Sequence, residues 1–348
     1  MEVILLCRCG FEKEVASEIN AHAAKLSIGG YIKTEANSGL VRFVTYQRND
    51  AENLIQRTSF DELVFVRHWL VLDHEFTALD TQDRVTPILD VAGKLPKCSS
   101  LQCINVDTNE GKSLAKLTRG IGRHLETRLE KVDFWQTKSA WVLQLLCLAG
   151  DHVLIGRTSE GNMSPWLGGI PRLKVPRSAP SRATLKLEEA WLHFVPKEQR
   201  EERLRPSMKA VDLGAAPGGW TWQLVNKSMF VDAVDNGPMD ESLMDSGQVT
   251  HHLEDGFRYS PPKPVDWLVC DIADKPSRVA SLIAHWAENR WFREAVFNLK
   301  LPMKQRYVAV EEARHRIASQ LVDHGTYELK FKQLYHDREE VTGHIKLF

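Results

Sequence analysis

Residues 211–220, Val211-Asp212-Leu213-Gly214-Ala215-Ala216-Pro217-Gly218-Gly219-Trp220, carry an apolar strand through a glycine-rich turn into a helix. The segments around it keep the same alternation. Lys209–Leu213, Phe230–Val234, Val265–Cys270 and Ala295–Leu299 read as strands, and Ala183–Val195, Gly218–Val225, Ser277–Asn289 and Gln305–Asp323 as helices. This order predicts a parallel, doubly wound α/β sheet. Two late strands, Tyr327–Tyr335 and Glu340–Phe348, have no helix between them and predict an antiparallel edge.

The first half reads differently. Val3–Cys7 is a strand, and Val15, Ile19, Ala23 and Leu26 recur at helical spacing. Asn37-Ser38-Gly39 is a turn signal between strands Tyr31–Thr34 and Leu40–Tyr46. A short helix, Ala51–Arg57, and a strand, Leu63–Leu72, complete the β-α-β-β-α-β order of a ferredoxin-like subdomain over residues 1–75. Residues 76–160 form a second α+β unit, with strands at Cys103–Val106, Trp141–Leu148 and His152–Arg157 and a helix over Lys112–Leu129. Residues 161–182 hold Pro165, Pro171, Pro176 and Pro180 and read as a linker, leaving 183–348 for the α/β domain.

Composition excludes several classes. The 348 residues carry 45 basic and 46 acidic side chains, so the chain is neither a polybasic tail nor an acidic solvating protein. No apolar run approaches the length of a membrane span, and the start lacks a basic n-region, so a cytoplasmic protein is expected. The six cysteines form no C-x-x-C pair, and His251 and His252 have no partner at metal spacing, so no metal is expected. The ten tryptophans read as core, with Trp220 a candidate exception beside the turn.

Glycines in such a turn let a ligand approach the backbone closely. Asp235 ends the next strand, 21 residues after Gly214, where a carboxylate can accept hydrogen bonds from ribose hydroxyls. The turn lacks the G-x-G-x-x-G of a dinucleotide site, which argues against a nicotinamide oxidoreductase. Asp271 and Lys300 end strands, Lys186 lies at the start of a helix, and Glu340 opens the last strand. Asp255, before Gly256, is either a ligand contact or a turn-stabilising Asp.

Basic residues gather in two places. Lys112, Lys116, Arg119 and Arg123 recur at i, i+4, i+7 and i+11, which predicts one positive helical face. The linker carries Arg172, Lys174 and Arg177 and no acidic residue. Both suit contacts to RNA phosphates, which position a nucleic acid without reading its sequence.

The D-x-G-x-x-P-G-G-W turn and the ordered set Lys186, Asp271, Lys300 and Glu340 resemble FtsJ-like ribose 2′-O-methyltransferases. The stretches Gly169-Ile170-Pro171-Arg172-Leu173-Lys174, Phe297-Asn298-Leu299-Lys300-Leu301-Pro302-Met303-Lys304 and Tyr335-His336-Asp337-Arg338-Glu339-Glu340-Val341 are similar to the bacterial ribosomal RNA large subunit methyltransferase M family, and the similarity runs the whole length. The resemblance implies a seven-stranded Rossmann-like methyltransferase domain, an N-terminal ferredoxin-like and THUMP region that binds RNA, and S-adenosylmethionine as cofactor. It implies 2′-O-methylation of a cytidine in 23S ribosomal RNA, or in an assembling large-subunit precursor, by a monomer. By motif position, Ala183, Ala216, Pro217, Gly218, Gly219, Asp235, Asp255 and Asp271 hold the cofactor, and Lys186, Asp271, Lys300 and Glu340 are catalytic with Lys300 as base. Glu339 and Glu340 leave the register of the glutamate open by one residue.

A ribose hydroxyl is a poor nucleophile at neutral pH, so the reaction needs in-line alignment and a proton acceptor. A lysine serves as base once its pKa falls, which Lys186 beside Lys300 would promote and Asp271 would oppose. No metal is needed, since the methyl donor carries its own leaving group. Two alternatives stand: a catalytically silent RNA-binding module for ribosome assembly, and a 2′-O-methyltransferase acting on a different RNA.

Overall fold

The strand that enters the glycine-rich turn is an interior strand, third in order, of a seven-stranded sheet. The computed structural model describes residues 1–348, which fold as two units, Met1–Pro171 and Arg172–Phe348.

In the first unit the elements are β1 (Glu2–Leu6), α1 (Glu12–Lys25), β2 (Gly30–Thr34), β3 (Leu40–Thr45), α2 (Asp50–Arg57), β4 (His68–Phe76), α3 (Val85–Ala92), β5 (Leu101–Asn105), α4 (Asn109–Ser113), α5 (Ala115–Glu130), β6 (Trp141–Cys147) and β7 (Val153–Ser159). One sheet, in the order β2-β3-β1-β4-β7-β6-β5, runs through the whole unit. The junction of β4 with β7 is antiparallel, so residues 1–75 and 76–160 share a continuous ladder.

Two elements differ from expectation. The strand expected at Leu63–Leu72 begins only at His68. Leu63, Val64, Phe65 and Val66 are buried as loop, and the amides of Val64 and Phe65 donate to the carboxylate of Glu18. Those amides are therefore satisfied outside the ladder. The helix expected over Lys112–Leu129 is broken at Leu114. Thr108 caps the short α4 by accepting from the Gly111 amide at 2.9 Å.

The second unit holds α6 (Thr184–Phe194), α7 (Arg200–Arg203), β8 (Lys209–Leu213), α8 (Gly219–Asn226), β9 (Phe230–Val234), α9 (Glu241–Met244), β10 (Val249–His252), β11 (Val265–Cys270), α10 (Pro276–Glu288), β12 (Phe292–Lys300), α11 (Arg306–Gln320), β13 (Tyr327–Lys332) and β14 (Glu340–Leu347). Its sheet order is β10-β9-β8-β11-β12-β14-β13. The first five strands are parallel, and β14 and β13 are antiparallel, as the alternation and final hairpin implied. Strand order reverses between β8 and β11, which opens a crevice at their carboxyl ends. Leu187, Ala190, Trp191 and Phe194 form the buried stripe of α6 and pack in one core with Trp220 and Trp267. Trp220 is thus core and not an exception. No helix of the chain is long and apolar enough to cross a membrane.

Candidate functional site

The crevice is walled by the turn between β8 and α8. Gly214 and Gly218 have φ of 79° and 116°, values that favour glycine. A Cβ on Gly219 would lie 2.4 Å from Ser181 Oγ and 3.2 Å from Ala183 Cβ, so the turn is pressed against the approach to α6. Ser181 Oγ in turn accepts from the Ala183 amide at 3.3 Å.

Asp235, at the end of β9, braces this turn. One carboxylate oxygen accepts from the Ala216 amide at 3.0 Å and the other from the Gly237 amide at 2.7 Å. Each oxygen keeps a further lone pair. Asp255 is exposed, and its Oδ1 accepts from the Phe257 amide at 2.9 Å. Its visible role is the turn-stabilising one.

Beneath the turn, Asp212 is buried and accepts from Thr221 Oγ1 at 2.6 Å. Burial pushes its carboxyl up to about 7, with Asp271 and Asp235 adding to the effect. A carboxyl raised in the folded state is bound to its proton there when the unfolded chain has released it. Stability therefore falls as pH rises from about 4 to about 7 and stays reduced above. Asp212→Asn removes this term, so the variant should gain melting temperature relative to the parent between pH 5 and pH 8. A gap that does not widen with pH would contradict the assignment.

The second wall carries the charged set. Lys186 sits in the first turn of α6, with Nζ 3.7 Å from Asp271 Oδ2 and 3.5 Å from Glu340 Oε1. Burial opposes its charge, but Asp271, Asp337 and Glu340 outweigh burial and hold its pKa above that of an ordinary lysine. Of the two opposing influences expected on a lysine in this set, the carboxylates prevail at Lys186. Burial raises the Asp271 carboxyl despite Lys186 and Asn298. Burial also opposes the charge of Glu340, but the Arg338 amide, at 2.7 Å, and Lys186 hold its pKa below the usual range.

Lys300 is exposed at the carboxyl end of β12, directly opposite Glu340 in the ladder. No carboxylate lies within ion-pair distance of it. The ladder also separates the two glutamates. Glu340 reaches Lys186, whereas Glu339 pairs with Arg306 at 2.8 Å.

Several site residues escaped the sequence reading. Asn298 donates to Asp271 Oδ1 at 2.8 Å and accepts from Thr342 Oγ1 at 2.8 Å. Thr342 Oγ1 also lies 3.0 Å from Asp337 Oδ2. The same Asp337 oxygen accepts from the Leu334 amide at 3.0 Å, and burial gives its carboxyl a strong upward push. Glu189, also fully buried, accepts from the Tyr335 and His336 amides at 2.7 and 2.9 Å and so fixes the loop that leads to Glu340.

The basic residues are only partly gathered. Lys116, Arg119 and Arg123 lie on α5, but Lys112 belongs to α4 and pairs with Asp107 at 2.9 Å, so four charges on one continuous helix are not formed. Arg172, Lys174 and Arg177 are exposed in irregular chain.

Models of three families match in succession: the RlmM ferredoxin-like domain over residues 1–70, the N-terminal domain of ribosomal RNA large subunit methyltransferase M over 83–159, and FtsJ-like methyltransferase over 179–332. Curated relatives named ribosomal RNA large subunit methyltransferase M align along the whole chain. That of Saccharophagus degradans is 57% identical and that of Teredinibacter turnerae 56%, each covering 100% of both chains. That of Cellvibrio japonicus is 52% identical, covering 100% of this chain and 99% of its own.

Proposed function

The chain belongs to the ribosomal RNA large subunit methyltransferase M family, and from that premise we propose that it transfers a methyl group from S-adenosylmethionine to the ribose 2′-hydroxyl of a cytidine in 23S ribosomal RNA, with Lys300 as proton acceptor. The observation that carries the choice of base is the inequality of the two lysines. Three carboxyl groups act on Lys186 to keep it charged, and none lies within ion-pair reach of Lys300.

The residues present suit the cofactor. A turn of small residues, glycine at Gly214, Gly218 and Gly219, lies at the switch point of the sheet, and Asp235 beside it retains lone pairs for a pair of ribose hydroxyls. When bound, S-adenosylmethionine supplies an electrophilic methyl group on a sulfonium that is already its leaving group. Ala183, Ala216, Pro217, Gly218 and Gly219 would line its site, with Asp255 and Asp271 at the ends of the neighbouring strands. Lys186 fixes Asp271 and Glu340 as a charged frame, and Asn298 aims Asp271. Within that frame Lys300 takes the proton from the ribose hydroxyl as the new bond forms.

Residues 1–75 act as the ferredoxin-like region and 76–160 as the THUMP-like region that holds RNA, with Arg172, Lys174 and Arg177 adding phosphate contacts from the linker of residues 161–182. The enzyme works as a monomer in the cytoplasm, on 23S ribosomal RNA or its assembling precursor.

Calorimetric titration tests the cofactor assignment. S-adenosylmethionine should bind and NAD should not. Asp235→Ala should weaken S-adenosylmethionine by about 1–3 kcal/mol through the loss of hydrogen bonds to a shielded ribose. An unchanged dissociation constant would remove Asp235 from the site.

A further inference from the structure

We propose that a groove in the first unit, between residues 81–85 and α5, binds the phosphodiester backbone of a single RNA strand. The assignment rests on the reading of the chain as an RNA-modifying enzyme, and of the face expected from residue spacing it keeps only Lys116. The groove encloses about 700 Å³ and is lined by Arg84, Lys116, Gly120, His124 and Arg128, with Asp83 as its one carboxylate.

The arginines in it are held in place mainly by uncharged groups. Arg84 donates from Nε to the Gly150 carbonyl at 2.5 Å and from Nη1 to the Thr81 carbonyl at 2.8 Å. Arg128 Nη1 donates to Thr86 Oγ1 at 3.0 Å. All three acceptors are uncharged, so both guanidinium groups are oriented by neutral partners, and Asp83 is the one carboxylate of the lining that acts on Arg128. Asp83 accepts from the Thr86 amide at 3.0 Å, at the start of α3. With histidine neutral, three cations against one carboxylate leave the lining with a net charge of +2. From Lys116 to Arg128 the helix rises about 18 Å, too far for one small anion to meet both ends. A repeating line of phosphates meets that spacing.

Gly120 supplies the independent observation. A glycine in a helix interior destabilises it by about 1 kcal/mol relative to alanine, so its presence needs a reason. Gly122, two residues on and facing the other way, has a packing reason: a Cβ there would lie 2.0 Å from Cys103 Sγ. Gly120 has none, because a Cβ there would meet nothing within 4 Å. Its missing side chain leaves the floor of the groove open midway between Lys116 and His124. Space there matters only to something that comes to occupy it.

This lone glycine gives a test that folding cannot confound. The probe is a fluorescein-labelled oligouridylate, followed by anisotropy over a salt series with the full-length chain. Gly120→Leu should unfold at an equal or higher temperature and bind the probe about tenfold more weakly, equivalent to about 1.4 kcal/mol. Arg84→Ala with Arg128→Ala should lower the slope of log affinity against log salt by about 1.4, two phosphates' worth for a single strand. Titration of S-adenosylmethionine into the same samples should be unchanged. A stable Gly120→Leu protein with unaltered probe affinity would overturn the proposal, as would an unaltered salt slope in the double variant. Wild type that methylates ribosomal RNA without binding the probe would overturn it too. Wild type that binds the probe at this groove but transfers no methyl group would sink the enzymatic reading and leave the groove standing.

Discussion

Lys300→Ala should reduce the single-turnover rate of methyl transfer by a factor of about 10²–10⁴, the usual contribution of a positioned general base. The affinity for S-adenosylmethionine should not change. Nor should the melting temperature, since Lys300 is exposed and makes no ion pair, and such surface substitutions stay within about 0.5 kcal/mol. Lys300→Arg sharpens the result. Arginine keeps the positive charge but does not release its proton in a protein, so a base is lost while a cation is retained. Both variants should therefore show the same large loss of rate. If the arginine variant keeps most of the wild-type rate, Lys300 acts only as a cation and the proton goes elsewhere.

Lys186→Met should be damaging in a different way. The methionine fills a similar volume but leaves Asp271, Glu340 and Asp337 without the cation at their centre. Breaking such a pair from one side destabilises by about 3 kcal/mol here, the low end for buried pairs because the cluster is partly open to water. The deficit should depend on pH with a defined sign. Lys186 helps hold the Glu340 carboxyl below its ordinary range, and that help is present above pH 4.5 and is lost as pH falls through the folded pKa. Without the lysine, Asp271 and Glu340 take up protons more readily, which relieves the unpaired charge in mild acid. The gap in melting temperature between parent and variant should thus be wider at pH 8 than at pH 5. Transfer should fall as well, because Asp271 and Glu340 lose their fixed positions. A gap independent of pH would show that Lys186 contributes packing and not charge.

The sequence displayed the α/β half well for a physical reason. Lys209–Leu213, Phe230–Val234 and Val265–Cys270 are short apolar runs closed by glycine, proline or acidic turns, and all three strands occupy those bounds. The same reasoning failed at Leu63–Val66. An apolar run there is buried without entering a ladder, because Glu18, far away in sequence, takes its amides. The break at Leu114 was hidden likewise, since helical spacing of charges persists across a one-residue interruption. In the site, the charged residues were legible from their positions at strand ends. Asn298 and Thr342 were not, because each reads as an ordinary strand residue until the antiparallel register of β12 with β14 sets them side by side. That register also sets Glu340, and not Glu339, beside Lys186, which no local pattern distinguishes.

The central claim is ribose methylation, and the chemistry of RNA offers a direct measurement of it. Unmethylated ribosomal RNA is incubated with the enzyme and S-adenosylmethionine labelled in its methyl group, then hydrolysed in alkali. Alkaline cleavage requires a free 2′-hydroxyl, so a 2′-O-methyl group protects the adjoining phosphodiester. The account predicts label in an alkali-stable dinucleotide whose 5′ member is cytidine, and none with the Lys300→Ala enzyme. Label recovered on mononucleotides would place the methyl group on a base and contradict the account.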